Sequence, residues 1–586
     1  MRKYYIIVLW LIYFSITCGI NYYVDNNANG LNNGTTWENA WESFTAINWS
    51  NIQPGDIIYI SGGSSGKIYA DNLVVNASGI SSSPITIMKG IDTGHNGEVI
   101  LQGSGLGAAV NIANESYIIV SNLSINNWSR AVDIDGDSNN AAHDIIIDNC
   151  DGIMSGRFIF IDGYADVSGS YCHDITIRNC DVTTPSSTGH QNDFVYAQYM
   201  AGLTIESNNV NISSNDTSEH NDLLQTLWVD GPVIVRNNYF EHSDNKLKNS
   251  QGIFFENHEG TFEVYNNIIV MPNSVDGKIY WKADSLNNAH TIIYSNVSYG
   301  LSGSLIQTTD PDAVIKNNIL YSTGYNSIGS SYMLEFNGVS GSGADVANNL
   351  FYDPAGNMNN MNSGTNQNGV EGDPLFTNLS ERDFTLQTGS PAIDTGATLQ
   401  SPYNVDIIGT SRPLGPLFDI GPYEMIDNGT GNYIRVNTGW NFISIPKLSN
   451  NMTSDYLLPT RTSSVFEYVG GSGYQVVNNL QNGKGYAVKF GYPQYIFIEG
   501  DSIFFPIEVF QGWNLIGPFD ENIPVSQVQS VPSGIIISDF YWFDGNGYVS
   551  SNMLEIAKGY WVKVSSDGVI KWNTEPESRW IVKSQR

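Results

Sequence analysis

The stretch Val233-Ile234-Val235-Arg236-Asn237-Asn238 and its echo Phe262-Glu263-Val264-Tyr265-Asn266-Asn267 decide the fold. Each alternates apolar and outward residues and closes on asparagine. Further stretches keep the pattern: YIIVSNL (117–123), IIIDNC (145–150), ITIRNC (175–180), TIESNN (204–209), IIYSNV (292–297), VIKNNI (314–319) and DVANNL (345–350). The closing position gives a marker at Leu123, Cys150, Cys180, Asn208, Asn238, Asn267, Asn296, Asn318 and Asn349, spaced by 27, 30, 28, 30, 29, 29, 22 and 31 residues. A period of this size is one turn of a solenoid.

Three residues before the marker stand Val120, Ile147, Ile177, Ile205, Val235, Val264, Ile293, Ile315 and Val346, all β-branched. Five before it a second apolar column runs from Ile118 to Phe262 and weakens to Thr291, Ala313 and Ala344. Two inward columns two residues apart mean strand, and β-branched side chains suit stacked strand positions. Asparagine tolerates the left-handed backbone of a sharp corner, and stacked amides can bond along the axis. Leucine-rich repeats are excluded, because regular leucines and a helical segment are missing. The expectation is an all-β chain, a right-handed parallel β-helix followed by a small C-terminal β domain of two repeated modules.

At 586 residues the chain exceeds one ordinary domain, which a solenoid allows because each turn buries its core on its neighbours. Only 14% of residues are charged and 12% are aromatic, which suits turn-rich β structure. The net charge of −32 argues against nucleic acid or anionic lipid as partner. A polyanionic sugar would need a local basic patch or bridging divalent cations.

Residues 1–19 read as a signal peptide: Arg2 and Lys3, the apolar run Tyr4 to Ile16, then Thr17-Cys18-Gly19. A lipid anchor on Cys18 and a retained membrane helix are the rivals, the latter short for a span. Secretion or cell-surface display is expected, with no membrane span after signal removal and a monomeric state. Cys150 and Cys180 share a ladder position and read as stacked apolar fillers; a disulfide among them or with Cys172 is the alternative. Residues 20–104 form an N-terminal cap and first strands, including TWENAWESFTAI, read as a short amphipathic helix over the open end of the core. The β-helix occupies 105–355, an exit segment 356–426, and the two-copy module 432–575.

The cap sequence Tyr22-Tyr23-Val24-Asp25, Pro54-Gly55-Asp56 and Pro84-Ile85-Thr86-Ile87 resembles the start of secreted bacterial β-helix proteins of the pectate-lyase-like superfamily. Gly372-Asp373-Pro374-Leu375-Phe376, Gly389-Ser390-Pro391-Ala392-Ile393-Asp394 and Asp419-Ile420-Gly421-Pro422 resemble the end of the same group. The resemblance covers residues 22–426 and implies the fold; the scaffold hosts lyases, hydrolases, epimerases and surface proteins alike. The paired-Asp and Gly-His-Gly signatures of polygalacturonase-type hydrolases are absent. In the C-terminal part, Gly439-Trp440-Asn441-Phe442-Ile443 recurs as Gly512-Trp513-Asn514-Leu515-Ile516, and Lys484-Gly485-Tyr486 as Lys558-Gly559-Tyr560. These resemble the GWNLISIP modules of bacterial surface proteins.

Chemistry is expected where Gly189-His190-Gln191-Asn192-Asp193 is echoed one turn on by Glu219-His220-Asn221-Asp222. Tyr196, Tyr199, Gln225, Trp228 and Trp281, with His190, offer the rings and amides that suit a sugar groove. A lyase acting on a uronic acid must neutralise the carboxylate and remove the α-proton. Asp193, Asp222 and Asp244 would hold Ca²⁺ for the first task. Lys246 or Lys248 would be the base if its pKa is lowered, with His220 as alternative. Read plainly, the same Asn-Asp pairs cap turns and the lysines are solvated. The run Asp133, Asp135, Gly136, Asp137, Asn139 reads either as a cation loop or as an acidic turn. Asp148, Arg178, Glu206 and Arg236, two before their markers, read as a charge ladder. The expected function is an exported enzyme on an extracellular acidic polysaccharide, a polysaccharide lyase or relative; the alternative is a non-catalytic surface, adhesion or glycan-binding protein.

Overall fold

The computed structural model describes residues 19–154, 156–164, 171–184, 192–213, 221–243, 250–274, 276–282, 289–301, 303–324, 330–387, 389–425, 433–491, 494–543, 545 and 547–572. The chain packs as two compact units, one to Ala397 with Asp419–Tyr423, the other Thr398–Phe418 with the remainder from Glu424.

The first unit is a parallel β-solenoid built on three ladders. The first ladder stacks Ala108–Ala113, Arg130–Asp135, Arg157–Asp162, the first half of Val195–Glu206, the first half of Leu224–Arg236, Ile253–Glu256 and Ile279–Lys282. The second stacks Ser116–Ser121, His143–Asp148, Cys172–Arg178, the second halves of the same two long strands, Gly260–Tyr265, Ala289–Tyr294 and Val314–Lys316. The third is a 12-stranded parallel sheet from Lys67–Tyr69 to Val370–Glu371. The register pairs Val120 with Ile147, Ile147 with Ile177, Ile205 with Val235 and Val235 with Val264, and all six are at most 1% exposed. Each such side chain taken out of water contributes roughly 1.5–3 kcal/mol before chain entropy is counted. Hence the β-branched column.

The two asparagines of each repeat divide the work. The first sits at the corner with a left-handed backbone: Asn149, Asn179, Asn237, Asn266, Asn317 and Asn348 have φ between 52° and 59°. The second turns inward. Asn208 Nδ2 donates to Asn238 Oδ1 (3.0 Å), and the chain of amides continues through Asn267, Asn296, Asn318 and Asn349 to Asn366. Each inward amide also donates to a backbone carbonyl of the preceding turn, as Asn267 does to Val235 (2.8 Å). The buried polar column is therefore satisfied by itself. At the earlier turns Cys150 and Cys180 fill the same column as free, buried thiols, and burial pushes Cys150 up to about 12, so they are inert fillers.

On the outward side the charge ladder forms. Arg178 donates to Asp148 (3.1 Å), and Arg236 to Glu206 (2.7 Å) and to the Tyr265 hydroxyl (2.9 Å). The exit segment folds back as a hairpin, Phe376–Asn378 against Asp383–Leu386, with Phe376 stacked on Tyr321 and Phe384 edge to face with Tyr299.

The cap differs from expectation. TWENAWESFTAI forms no α-helix, only 3₁₀ turns at Phe44–Ala46 and, beyond it, Trp49–Asn51. Its backbone is used elsewhere: Trp41 N–H donates to Tyr23 O, Trp41 O accepts from Asp25, and the Asn39 carbonyl takes two amides from the Asn/Gly loop. Trp41 and Phe44 still close the core, at 1% and 3% exposure.

In the second unit two four-stranded antiparallel sheets share one strand order. The first pairs Gly439–Ser444, Gly485–Phe490, Phe466–Val469 and Gly473–Val476; the second pairs Gly512–Ile516, Tyr560–Val564, Phe540–Phe543 and Tyr548–Ser551. The repeated motif residues do the same job twice. Asn441 accepts from Asn437 N and Asn514 from Phe510 N, while Gly439 and Gly512 take φ of 87° and 104°. The Tyr486 and Tyr560 hydroxyls accept from the amides of Gln481 and Glu555.

Candidate functional site

Strand parity on the first ladder decides which side chains meet. Val132, Ile159, Val195 and Leu224 point into the core. The residue after each then points out, giving the column Asp133, Phe160, Tyr196, Gln225. Two further on, the next column reads Asp135, Asp162, Gln198. Two before the inward column, Arg130 and Arg157 stand side by side.

These residues form one connected face. Phe160 and Tyr196 stack at 5.6 Å and 10°, with the Arg130 guanidinium 4.2 Å from the Phe160 centroid and that of Arg157 4.3 Å from Tyr196. Tyr196 donates to Gln198 Oε1 (3.1 Å), Gln198 to Asp162 Oδ1 (2.8 Å), and Gln225 to Glu256 Oε2 (3.1 Å). Arg130 donates to Asp133 (2.6 Å). Burial raises the Asp133 carboxyl despite that partner. Asp135 is pushed up to about 6, chiefly by burial and then by Asp133 and Asp162. A carboxyl whose pKa is raised toward 6 beside a second carboxyl group suits acid–base cleavage of an acetal.

Of the residues expected from sequence, Tyr196 and Gln225 lie on this face as register partners. Tyr199 and Trp228 do not: both sit at the next corner with left-handed φ of 51° and 55°, and Trp228 is 45% exposed. Trp281 pairs with Phe255 in the register, and its side chain lies outside the described set. His190, His220, Asp244, Lys246 and Lys248 lie outside the described residues.

Asp193 and Asp222 are buried at 1% and 0%. Asp193 Oδ1 accepts from Asp222 N (2.9 Å) and Oδ2 from Arg157 Nε (2.9 Å), while Asp222 Oδ1 accepts from Gln251 N (2.6 Å). Three carboxylate oxygens thus link successive turns, and a Ca²⁺ ion, which wants six to eight oxygens, would compete with N–H donors for them. The Asp133–Asn139 run is likewise an acidic turn in its bonding: Asp137 accepts from the amides of Asn139 and Asn140 and from the Asn114 side chain. Lys278 is fully buried, donates to the carbonyls of Ser274, Asp276 and Leu301, and burial lowers it to about 7.

Sequence reasoning missed Arg130, Asp135, Arg157, Phe160 and Asp162 as a group. Their signal was the Arg-x-φ-x-φ-Asp pattern of Arg130–Asp135 repeated at Arg157–Asp162, one turn apart. It also missed His143-Asp144 and His173-Asp174. These imidazoles stack at 4.5 Å, each with Nδ1 on its own aspartate, beside a groove of about 400 Å³ on the second ladder.

No protein-family model matches the chain, and no curated protein matches it in sequence. Among solved structures it is similar to a GH136 lacto-N-biosidase from Eubacterium ramulus at 13% identity, covering 60% of this chain and 68% of that one, with a TM-score of 0.41. It is similar to a rhamnogalacturonan lyase at 13% identity (64% and 96% covered, TM-score 0.40). A third is the A-module of the Azotobacter vinelandii mannuronan C-5 epimerase AlgE6, at 14% identity (60% and 100%, TM-score 0.35). These are similarities of chain path and assign no activity to this chain.

Proposed function

We propose that the solenoid is an exported carbohydrate-active enzyme that cleaves glycosidic bonds of an extracellular acidic polysaccharide on the outward face of the first ladder. The observation that carries this is Asp135, held protonated up to about pH 6 by burial and by Asp133 and Asp162, one rung from the Asp162 carboxylate. The polar groups of Tyr196, Gln198 and Gln225 would meet sugar hydroxyls, and the guanidinium groups of Arg130 and Arg157 would offset the substrate's charge. Asp135 donates its proton to the glycosidic oxygen as the anomeric C–O bond breaks. Asp162 then attacks the anomeric carbon, and water later displaces it, giving its proton to the Asp135 carboxylate. The rung spacing of about 4.8 Å is close to the ~5 Å carboxyl separation of two-step, retaining hydrolysis.

The lyase expected from sequence shares the substrate class and differs in product. The test is a screen on pectin, alginate and glycosaminoglycans, with and without Ca²⁺, read both as new reducing ends and as absorbance of an unsaturated product. Hydrolysis gives reducing ends without unsaturation, and Asp135→Asn abolishes it. An unsaturated product that survives Asp135→Asn would move the chemistry to other residues. No cleavage of any polymer would leave the glycan-binding surface protein as the reading.

A further inference from the structure

The two C-terminal sheets are built alike, and a pocket lies where rings of the second meet Tyr468 of the first. Tyr468, Trp513, Tyr541, Tyr548 and Trp561 line a cavity of about 490 Å³, within the range of small-ligand sites. Aligned through the repeated motifs, Trp513 and Tyr548 have equivalents in Trp440 and Tyr474 of the first copy. Tyr541 and Trp561 replace Glu467 and Ala487. The second copy has exchanged a charge and a methyl for two rings.

The rings are not core. Trp513 is 39% exposed and Tyr548 54%. They meet edge to face, Trp513 against Trp561 at 88° and Tyr468 against Trp561 at 77°, so their faces are turned in different directions around the cavity. Every lining residue has a polar edge, and among the described residues no group accepts from the buried Trp561 Nε1–H. Among the described residues no acidic side chain lines the cavity. Lys563, cross-strand partner of Trp513, holds its ammonium 5.9 Å from that ring, whereas Lys558 and Lys484 are paired with Glu555 and Glu467. In a chain of net charge −32 this is a local environment that accepts an anion.

We infer that this pocket is a glycan-binding site for a uronic-acid-bearing oligosaccharide, with sugar faces on Trp513 and Trp561, a hydroxyl on the Trp561 N–H and the carboxylate toward Lys563. Among the described residues the lining holds no aliphatic side chain, which a lipid or an apolar peptide would select.

The test is calorimetric titration of the full chain with tetrasaccharides of galacturonate, mannuronate and guluronate, and with cellotetraose as the uncharged control. At least one uronate should bind. Trp561→Ala, which installs the residue the first copy carries at that place, should weaken binding about tenfold, the loss expected for one ring stack and one hydrogen bond. Lys563→Gln should weaken it less and remove its salt dependence, and Trp440→Ala should change nothing. The inference is overturned if no uronate binds, if Trp561→Ala binds as the parent does, or if cellotetraose binds equally well with Lys563→Gln silent. Conversion of a dimer to a monomer by Trp561→Ala, seen by sedimentation, would overturn it in favour of a second copy as occupant. Polymer cleavage by the Trp561→Ala protein reports separately on the solenoid, so the two readings fail independently.

Discussion

At the scale of single residues, burial and parity separate groups that look alike in sequence. Asp133, Asp135, Asp162, Asp193 and Asp222 are all aspartates beside β-strands, yet Asp193 and Asp222 accept backbone amides while Asp135 faces outward with a raised pKa. For Asp135 the sign is definite. The folded protein holds the proton more tightly than the unfolded chain, so its contribution to stability is complete below about pH 4 and is lost as pH rises through about 6. Asp135→Asn should therefore match the parent's melting temperature near pH 3.5 and be more stable at pH 7.5, by roughly 1 kcal/mol once solvent screening is discounted. Thermal melting across that range checks it, and a stability gap that did not widen with pH would contradict burial as the cause. Cleavage that depends on the same proton should fall off above about pH 6.

At the scale of the repeating element, the asparagine pair was legible as a pattern but not as two functions. Asn237 and Asn267 read as members of one motif, whereas the structure gives the first a left-handed φ of 57° and the second a place in the buried amide ladder. The difference is measurable by urea denaturation. Asn267→Ala takes the acceptor from Asn238 N and Nδ2 and the donor from Val235 O; at about 1–3 kcal/mol for each buried group left unmet, the loss should reach roughly 3 kcal/mol. Asn237→Ala should cost about 1 kcal/mol through its backbone alone, and Asn237→Gly should recover most of that. Equal losses at the two positions would mean the ladder does not bear on stability. The amphipathic pattern of the cap misled for a related reason: the amides of Trp41 and Asp25 bond across the chain, an option that local periodicity does not register.

At the scale of the whole molecule, the boundary near residue 426 can be tested by truncation. Residues 22–426 expressed alone should be soluble, keep parallel-β circular dichroism and retain any polymer cleavage. A fragment ending at 397 should melt lower, because it lacks Asp419–Gly421. That segment takes the Asn317 and Ala392 carbonyls with Gly421 N and Ile420 N, and accepts Asp394 N on Asp419. Activity found in 433–572 instead would place the chemistry in the other unit. The sequence alone determined the solenoid, its period, its inward columns, the charge ladder and the doubled C-terminal sheet. Each of these recurs from turn to turn or from copy to copy, so every copy restates the same local rule. Tyr196 and Gln225 were legible for that reason too, as outward aromatic and amide side chains near a repeat. Only the tertiary structure decided that Arg130, Asp135, Phe160 and Asp162 share a face with them while Asp193 and Asp222 turn into the stack. Which outward residues become neighbours depends on the register between turns, and how strongly a carboxyl holds its proton depends on the water excluded around it. Neither quantity is local to any stretch of chain.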